Sequence, residues 1–287
     1  MTVPSPAILT IVPWDGERPF VPKPPWEGEC QFFLVYNRRF RMCLRRESDV
    51  VSNQIKQRGR WLDCDPLLAA WVNMTKRDPF GIFLDAGANI GSCTFVVLDA
   101  DPLARVWAVE PMHYNLYYLT RTVLAQPAER AAEWNARLRV YPVALGRNAT
   151  DHTVYVERGN AGNTVLDNAT NADRRPVGVV RTVRLDDLVP ADTSIRLLKA
   201  DVQGFEMELL RGAERLLAER RILAIHSEIA TDFLTDHGTW PSEVCALLED
   251  AGFDLHATNG RLLDANECAG WDALPKHAAE IIAVLRQ

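Results

Sequence analysis

No apolar run in this 287-residue chain reaches the roughly 18 residues that a membrane-spanning helix needs, so no membrane span is expected. No Lys/Arg tract is present to grip a phosphate backbone, and the formal net charge is −6. Nucleic acid is therefore not an expected partner. Met1 to Pro13 lacks a basic n-region and carries Pro4, Pro6 and Pro13, so it does not read as a secretory signal. Cysteine is scarce and scattered: Cys30, Cys43, Cys64, Cys93, Cys245 and Cys268. None forms a Cys-x-x-Cys pair or stands at zinc-ligand spacing from a histidine. Such thiols are expected to be free, in a reducing compartment. Together these absences predict a soluble, cytoplasmic protein.

What is present is an ordered alternation. Residues 1–30 are proline-rich and expected to be extended, because proline blocks both helix and central strand. Gln31–Tyr36 and Phe40–Leu44 read as a hairpin turning at Asn37 and Arg38. Ser48–Arg58 and Pro66–Lys76 read as helices, the second with Asp65 as N-cap and Pro66 in the first turn. From Phe80 onward, strands are expected at Phe80–Asp85, Arg105–Val109, Leu138–Val143, Ile195–Asp201, Ile222–Glu228, Phe253–His256 and Ile281–Leu285. Helices fit Gly91–Ala100, Tyr114–Leu124, Phe205–Ala218 and Ser242–Ala251. This order predicts a doubly wound α/β domain over 79–287 with a mainly parallel sheet, preceded by a small extension over 1–78. The stretch from Asp151 to Leu188 breaks the alternation. It carries short β-like runs at Thr153–Val156 and Val177–Val183 around a polar Asn/Gly/Thr segment, and reads as an insertion over the carboxyl ends of the strands.

The chemistry gathers first at Phe83–Gly91, where an apolar strand enters a glycine turn that opens a helix. Gly87 is expected to let backbone approach a ligand, and Gly91 to allow close helix–strand packing. The dinucleotide fingerprint needs G-x-G-x-x-G. Here Asp85 precedes Gly87-x-Asn89-x-Gly91, and a strand-end carboxylate suits a ligand bearing sulfonium and ammonium charge better than a pyrophosphate. The next strand ends in Val109-Glu110-Pro111, with Glu110 nineteen residues beyond Gly91. A carboxylate there is placed to hold the hydroxyls of an adenosine ribose.

These residues resemble the FkbM family of methyltransferases. The family's D-x-G-A-N-x-G turn is matched by Asp85–Gly91, and its E-P by Glu110-Pro111. A following asparagine is matched by Asn115, and an Ala-Leu-Gly-like segment by Val143-Ala144-Leu145-Gly146. A T-x-x-L-D-D element is matched by Thr182–Asp187, and L-K-x-D-V-E-G-x-E by Leu198–Glu206. Glu228 matches a glutamate in the fifth-strand region, and the segment from Glu47 through Gly59 and Trp61 is similar to one preceding this domain in some members. Gln203 departs from the family, which has glutamate there. The resemblance implies a Rossmann-like, class I methyltransferase-type fold and S-adenosyl-L-methionine as cofactor. Asp85, Gly87, Asn89, Gly91, Glu110, Asn115, Val143 and Ala144 are then the expected cofactor-binding residues.

Methyl transfer from a sulfonium is an in-line displacement in which the protein mainly aligns the acceptor. A hydroxyl acceptor must also lose its proton, so a base helps. Candidates are Asp201, Glu206, Glu228 and His226, with Lys199 on the same side of its strand as Asp201. Asn160, Asn163 and Thr164 in the insertion are suited to hydrogen-bond a polyhydroxyl acceptor. Asp186-Asp187 could pair with Asp201 around a hard cation but fit better as the start of a loop, so no metal is expected. The expected activity is O-methylation of a sugar, glycan or small metabolite. The alternatives are a nicotinamide-dependent oxidoreductase, disfavoured by the missing third glycine, and a non-catalytic cofactor-binding module, which Gln203 keeps open.

Overall fold

The computed structural model describes residues 15–16, 30–46, 49–157, 160–167 and 174–287. The proline-rich start, apart from these few positions, and Glu47-Ser48 lie outside the described residues.

The chain opens with a hairpin, β1 (Gln31–Val35) and β2 (Phe40–Leu44). Tyr36, Asn37 and Arg38 all take positive φ in its turn. Helix α1 (Val50–Arg58) starts at Asp49, whose carboxylate accepts from the Ser52 N–H, and stops at the left-handed Gly59. Helix α2 (Cys64–Met74) begins two residues before the expected start: Asp63, not Asp65, is its N-cap, and Asp63 makes no side-chain capping bond. The central alternation follows as β3 (Ile82–Ala86), α3 (Ser92–Ala100), β4 (Val106–Val109), α4 (His113–Leu124), α5 (Ala128–Arg137) and β5 (Leu138–Tyr141). Next come β6 (Ala144–Leu145), β7 (Asp151–Glu157), β8 (Asn160–Leu166), β9 (Arg174–Val183) and the short α6 (Leu185–Leu188). The chain continues through β10 (Ile195–Ala200), α7 (Glu206–Arg211), α8 (Glu214–Ala218), β11 (Ala224–Ala230), α9 (Thr231–Asp236), α10 (Pro241–Asp250), β12 (Phe253–Ala257), α11 (Ala265–Trp271) and β13 (Ala278–Leu285).

Seven strands form one sheet in the order β12-β13-β11-β10-β3-β4-β5. The five from β11 to β5 are parallel, and β13 runs antiparallel to both β11 and β12. This is the doubly wound, mainly parallel α/β architecture. Its strand order reverses between β3 and β10, where a crevice opens at the carboxyl edge. Alternation along each strand divides the core between two faces: Ile82, Leu84 and Ala86 pack into one apolar cluster, Phe83 into the other. Hairpin residues Phe40 and Met42 share the second cluster with Trp71 of α2 and Phe95 of α3, so the N-terminal segment packs on the face that α2 and α3 cover. Burying each such side chain contributes about 1.5–3 kcal/mol.

Three expectations change. The cysteines are paired, as Cys30–Cys43, Cys64–Cys93 and Cys245–Cys268, with no free thiol. The free-thiol reading is therefore overturned, and the reducing compartment inferred from it loses its basis. Scattered spacing misled for two bridges because they join elements that only the fold brings together, Cys64–Cys93 linking α2 to α3 and Cys245–Cys268 linking α10 to α11; Cys30–Cys43 closes the hairpin read from the sequence. The helix expected over Phe205–Ala218 is broken at Gly212-Ala213. A Cβ on Gly212 would lie 2.2 Å from the Gly146 carbonyl oxygen, and Asp186 caps the second piece by accepting from the N–H groups of Arg215 and Leu216. The insertion holds three strands rather than two, paired in the order β6-β9-β7-β8. Strand β8 was hidden by its Asn160, Gly162 and Asn163 residues, types that are depleted in strands. Among the described residues no helix is long and apolar enough to cross a membrane.

Candidate active site

A cavity of about 300 Å³ opens over the crevice between β3 and β10. Its floor is built from strand ends and its roof from the insertion, whose Thr164 and Leu166 line it. Thr164 is held by a 3.0 Å hydrogen bond to the Tyr114 hydroxyl. The side chains of Asn160 and Asn163 lie outside the described residues.

At one end stands Glu110, buried just past the tip of β4. Its Oε2 accepts from the Asn89 N–H at 2.8 Å; its Oε1 accepts from the Met112 N–H at 2.8 Å and the Asn115 amide at 3.2 Å. Burial pushes the Glu110 carboxyl up, and these donors pull it back only in part. A carboxylate has about four acceptor sites, so with three N–H donors in place roughly one remains. Asn115 is oriented in turn by Arg45, whose guanidinium donates to its Oδ1 at 2.5 Å and stacks over Tyr114 and Tyr118. Asn89, at φ +51°, lines the cavity, and its buried Oδ1 has no hydrogen-bond partner. Val143 and Ala144 supply apolar wall. Sequence reasoning missed Arg45; no local motif marks an arginine whose target is seventy residues away.

The glycines act differently from expectation. Gly87 lines the cavity, yet a Cβ there would lie 1.9 Å from the Asp201 carbonyl oxygen. Close approach of the β10 end therefore demands glycine at φ +76°. Gly91 is outside the cavity wall; a Cβ there would press on Phe95 and Leu119, so it serves packing of α3 against α4 rather than helix on strand.

Across the sheet a buried polar row runs Asp85–Lys199–His226, register partners on β3, β10 and β11. Asp85 is fully buried and does not line the cavity: Oδ2 accepts from the Thr94 hydroxyl at 2.6 Å, and Oδ1 lies 3.5 Å from the Lys199 ammonium. Lys199 also stands 3.0 Å from Asp201 Oδ2 and donates to the Gly87 carbonyl at 3.2 Å. Burial works against the Lys199 charge, but Asp201 and Asp85 hold its pKa above the ordinary lysine value. For Asp201, burial pushes upward, and the Lys199 charge and Gln203 amide more than offset it, so its carboxyl sits below the usual range.

The other end of the cavity is acidic. Gln203, at φ +55°, donates through Nε2 to Asp201 Oδ1 at 2.9 Å and to Glu228 Oε2 at 3.2 Å. Burial, Asp201 and Glu206 push Glu228 up to about 8. His226 is 3% exposed and faces the cavity; its Nε2 lies 3.3 Å from Glu280 Oε2 without forming a hydrogen bond. Asp63 closes this end from the start of α2, and burial together with Glu280 and Asp201 raises it to about 6. Glu206 lies apart: it is buried outside the cavity wall and accepts from the Val202 N–H at 2.9 Å. Burial pushes it up to about 7, but the geometry gives it the helix-start role. Asp186 is spent on capping α8 and pairing with Arg184, so it does not join Asp201. Asp63 and Glu280 were not singled out from the sequence, and Trp61 was marked only as part of an upstream segment, because they come from segments far apart in the chain.

The family model described as Methyltransferase FkbM domain matches residues 85–255. No curated protein matches the chain. Among solved structures, the chain is similar to a precorrin-6y C5,15-methyltransferase from Geobacter metallireducens GS-15, with 12% identity, 85% of this chain and 93% of that one covered, and a TM-score of 0.41. It is similar to a TehB-like SAM-dependent methyltransferase from Corynebacterium glutamicum ATCC 13032 Kitasato, with 10% identity, coverage of 82% and 94%, and a TM-score of 0.38. It is also similar to the glycopeptide N-methyltransferase MtfA complexed with S-adenosyl-L-methionine, with 14% identity, coverage of 76% and 87%, and a TM-score of 0.37.

Proposed function

The chain belongs to the FkbM methyltransferase family, and from that premise we propose that it transfers the methyl group of S-adenosyl-L-methionine to a hydroxyl of a sugar, glycan or other hydroxylated small metabolite. The observation that carries the reading is one cavity lined by Glu110 just past β4, Asp201 just past β10, and Glu228 and His226 within β11. The donor set fits an adenosine: the buried, unpartnered Asn89 Oδ1 and the remaining acceptor site of Glu110 both take hydroxyl protons. Val143 and Ala144 offer apolar contact to the base.

The bound donor supplies an electrophilic methyl group on sulfur. Lys199, held between Asp85 and Asp201, fixes the floor beneath it. Asp201 accepts a hydrogen bond from the acceptor and orients it. Glu228 is placed to take the hydroxyl proton; the bound donor would supply the methyl group to that oxygen, its sulfur keeping the C–S electron pair. A carboxyl held near 8 is matched to proton transfer near neutral pH, whereas Asp201, held low by Lys199, is a poor base. Thr164, tied to Tyr114, is the residue of the expected acceptor-binding set whose described side chain lines the cavity.

Transfer of labelled methyl from S-adenosyl-L-methionine across a panel of sugars and small alcohols tests the reading. O-methyl product supports it. Failure of S-adenosylhomocysteine to raise Tm, or N-methyl product alone, overturns it. Cofactor binding without turnover on any acceptor favours a binding module instead.

A further inference from the structure

We propose that the methyl acceptor carries a cationic group, an ammonium on an amino sugar or amino alcohol, which seats between Asp63 and Glu280 while a neighbouring hydroxyl faces Glu228. This rests on the methyl-transfer reading and adds the acceptor's charge.

Position comes first. In the sheet order β13-β11-β10-β3-β4, Glu280 stands four strands from the β4 end, about 19 Å across at ~4.8 Å per strand. A donor with its ribose at Glu110 and its sulfur near β10 leaves the β11 and β13 ends to the acceptor. Asp63 reaches the same corner from α2, since Glu280, Asp201 and His226 are among the charges that act on it.

Charge comes second. Among the described residues that line the cavity, Lys199 is the one Lys or Arg, and it is already committed to Asp201 and Asp85. Asp63 and Glu228 have no Lys or Arg partner in the cavity wall, and Glu280 has only His226, 3.3 Å away. His226 offers a buried Nε2 that makes no hydrogen bond, close to Glu280. Half-buried carboxylates facing one another repel; burial first, and this repulsion after it, push Asp63 and Glu228 up. A neutral polyol leaves the excess negative charge in place, whereas an ammonium neutralises it with charge-assisted hydrogen bonds. Trp61, two residues from Asp63 and also in the wall, adds an aromatic face that attracts a cation. The seated ammonium has no lone pair, so the hydroxyl remains the methyl acceptor.

Glucosamine, N-acetylglucosamine and glucose serve as probes of similar shape and different charge. Each is offered to the full chain saturated with S-adenosylhomocysteine, with binding read by saturation-transfer NMR at pH 7. Each is also offered with labelled S-adenosyl-L-methionine, with products identified by NMR. Glucosamine is expected to bind on the order of tenfold better than either neutral sugar, the size of one charge-assisted contact, and to carry an O-methyl group. Glu280→Gln and Asp63→Asn should each reduce that preference severalfold while S-adenosylhomocysteine affinity stays unchanged. Asp63 makes no capping bond, so its replacement removes no helix cap. Equal binding, better binding of a neutral sugar, binding of none of the three, N-methyl product, or a preference that survives both substitutions overturns the proposal. Loss of S-adenosylhomocysteine binding by the wild-type chain would instead sink the methyl-transfer reading beneath it.

Discussion

Lys199 Nζ stands 3.0 Å from Asp201 Oδ2, and that pairing decides what Asp201 can do. A carboxylate beside a buried ammonium is favoured in its charged form and retains little basicity. It is a fixed acceptor and an electrostatic anchor. Asp201→Asn should therefore leave Lys199 with Asp85 alone, lower Tm, and raise the acceptor's KM. The pH profile of kcat should keep its basic limb, moved to lower pH because Asp201 is one of the charges that push Glu228 up. A vanished basic limb in that variant would return the proton to Asp201.

Glu110→Gln should weaken S-adenosylhomocysteine binding by about 1.5–3 kcal/mol, the worth of a hydrogen bond to a charged group. The effect mixes two losses, because the carboxylate also organises the Asn89 and Met112 N–H groups. Calorimetry gives the affinity and a melting curve the structural share. Unchanged affinity in a folded variant removes Glu110 from the donor site.

The architecture was legible because strand and helix periods differ and the alternation from Phe80 onward is regular. So was the Glu110 end, where a motif local in sequence stays local in space. The acidic end was only half legible. Lys199, Asp201, His226 and Glu228 sit on the adjacent strands β10 and β11 and could be named, but Asp63 and Glu280 arrive from α2 and β13. Two of the disulfides were misread for the same reason, since the partners in Cys64–Cys93 and Cys245–Cys268 are neighbours only after folding. Gly87 shows a subtler limit. Sequence marked the glycine, but the atom it must avoid is the Asp201 carbonyl oxygen.

Gly87→Val is accordingly a stability variant as well as a site variant. A side chain at φ +76° costs roughly 1–2 kcal/mol, and the clash with β10 adds about 1–3 kcal/mol. Tm should fall by several degrees even without ligand. A variant that melts like wild type but no longer responds to S-adenosylhomocysteine would restore the ligand-only role.

Three bridges close loops spanning 13, 29 and 23 residues, each expected to stabilise by about 3 kcal/mol on the chain-entropy account. Native thiol titration should find none reactive, and reductant should lower Tm markedly. Chain produced in an oxidising compartment should be the better folded. Six titratable thiols in active protein would contradict the pairing.

Glu228→Gln is the deciding variant for the chemistry. The wild-type carboxyl is held at about 8, so it works as a base only once deprotonated. Turnover should rise with pH through about 8, the limb belonging to Glu228. Gln keeps the shape and can still accept from Gln203, so kcat should drop by about 10²–10⁴ with donor affinity intact, and the limb should disappear. The same shift acts on stability with a fixed sign. The folded state binds this proton more tightly than the unfolded state does, so the group's stabilisation is complete below the ordinary glutamate value of 4.5 and fades as pH climbs to about 8. Glu228→Gln should therefore gain on wild type in Tm as pH is raised from 5 toward 9. If kcat and its pH limb survive the substitution while the stability trend follows this sign, Glu228 is a buried acid without a catalytic part, and His226→Asn is the variant that must then show the loss.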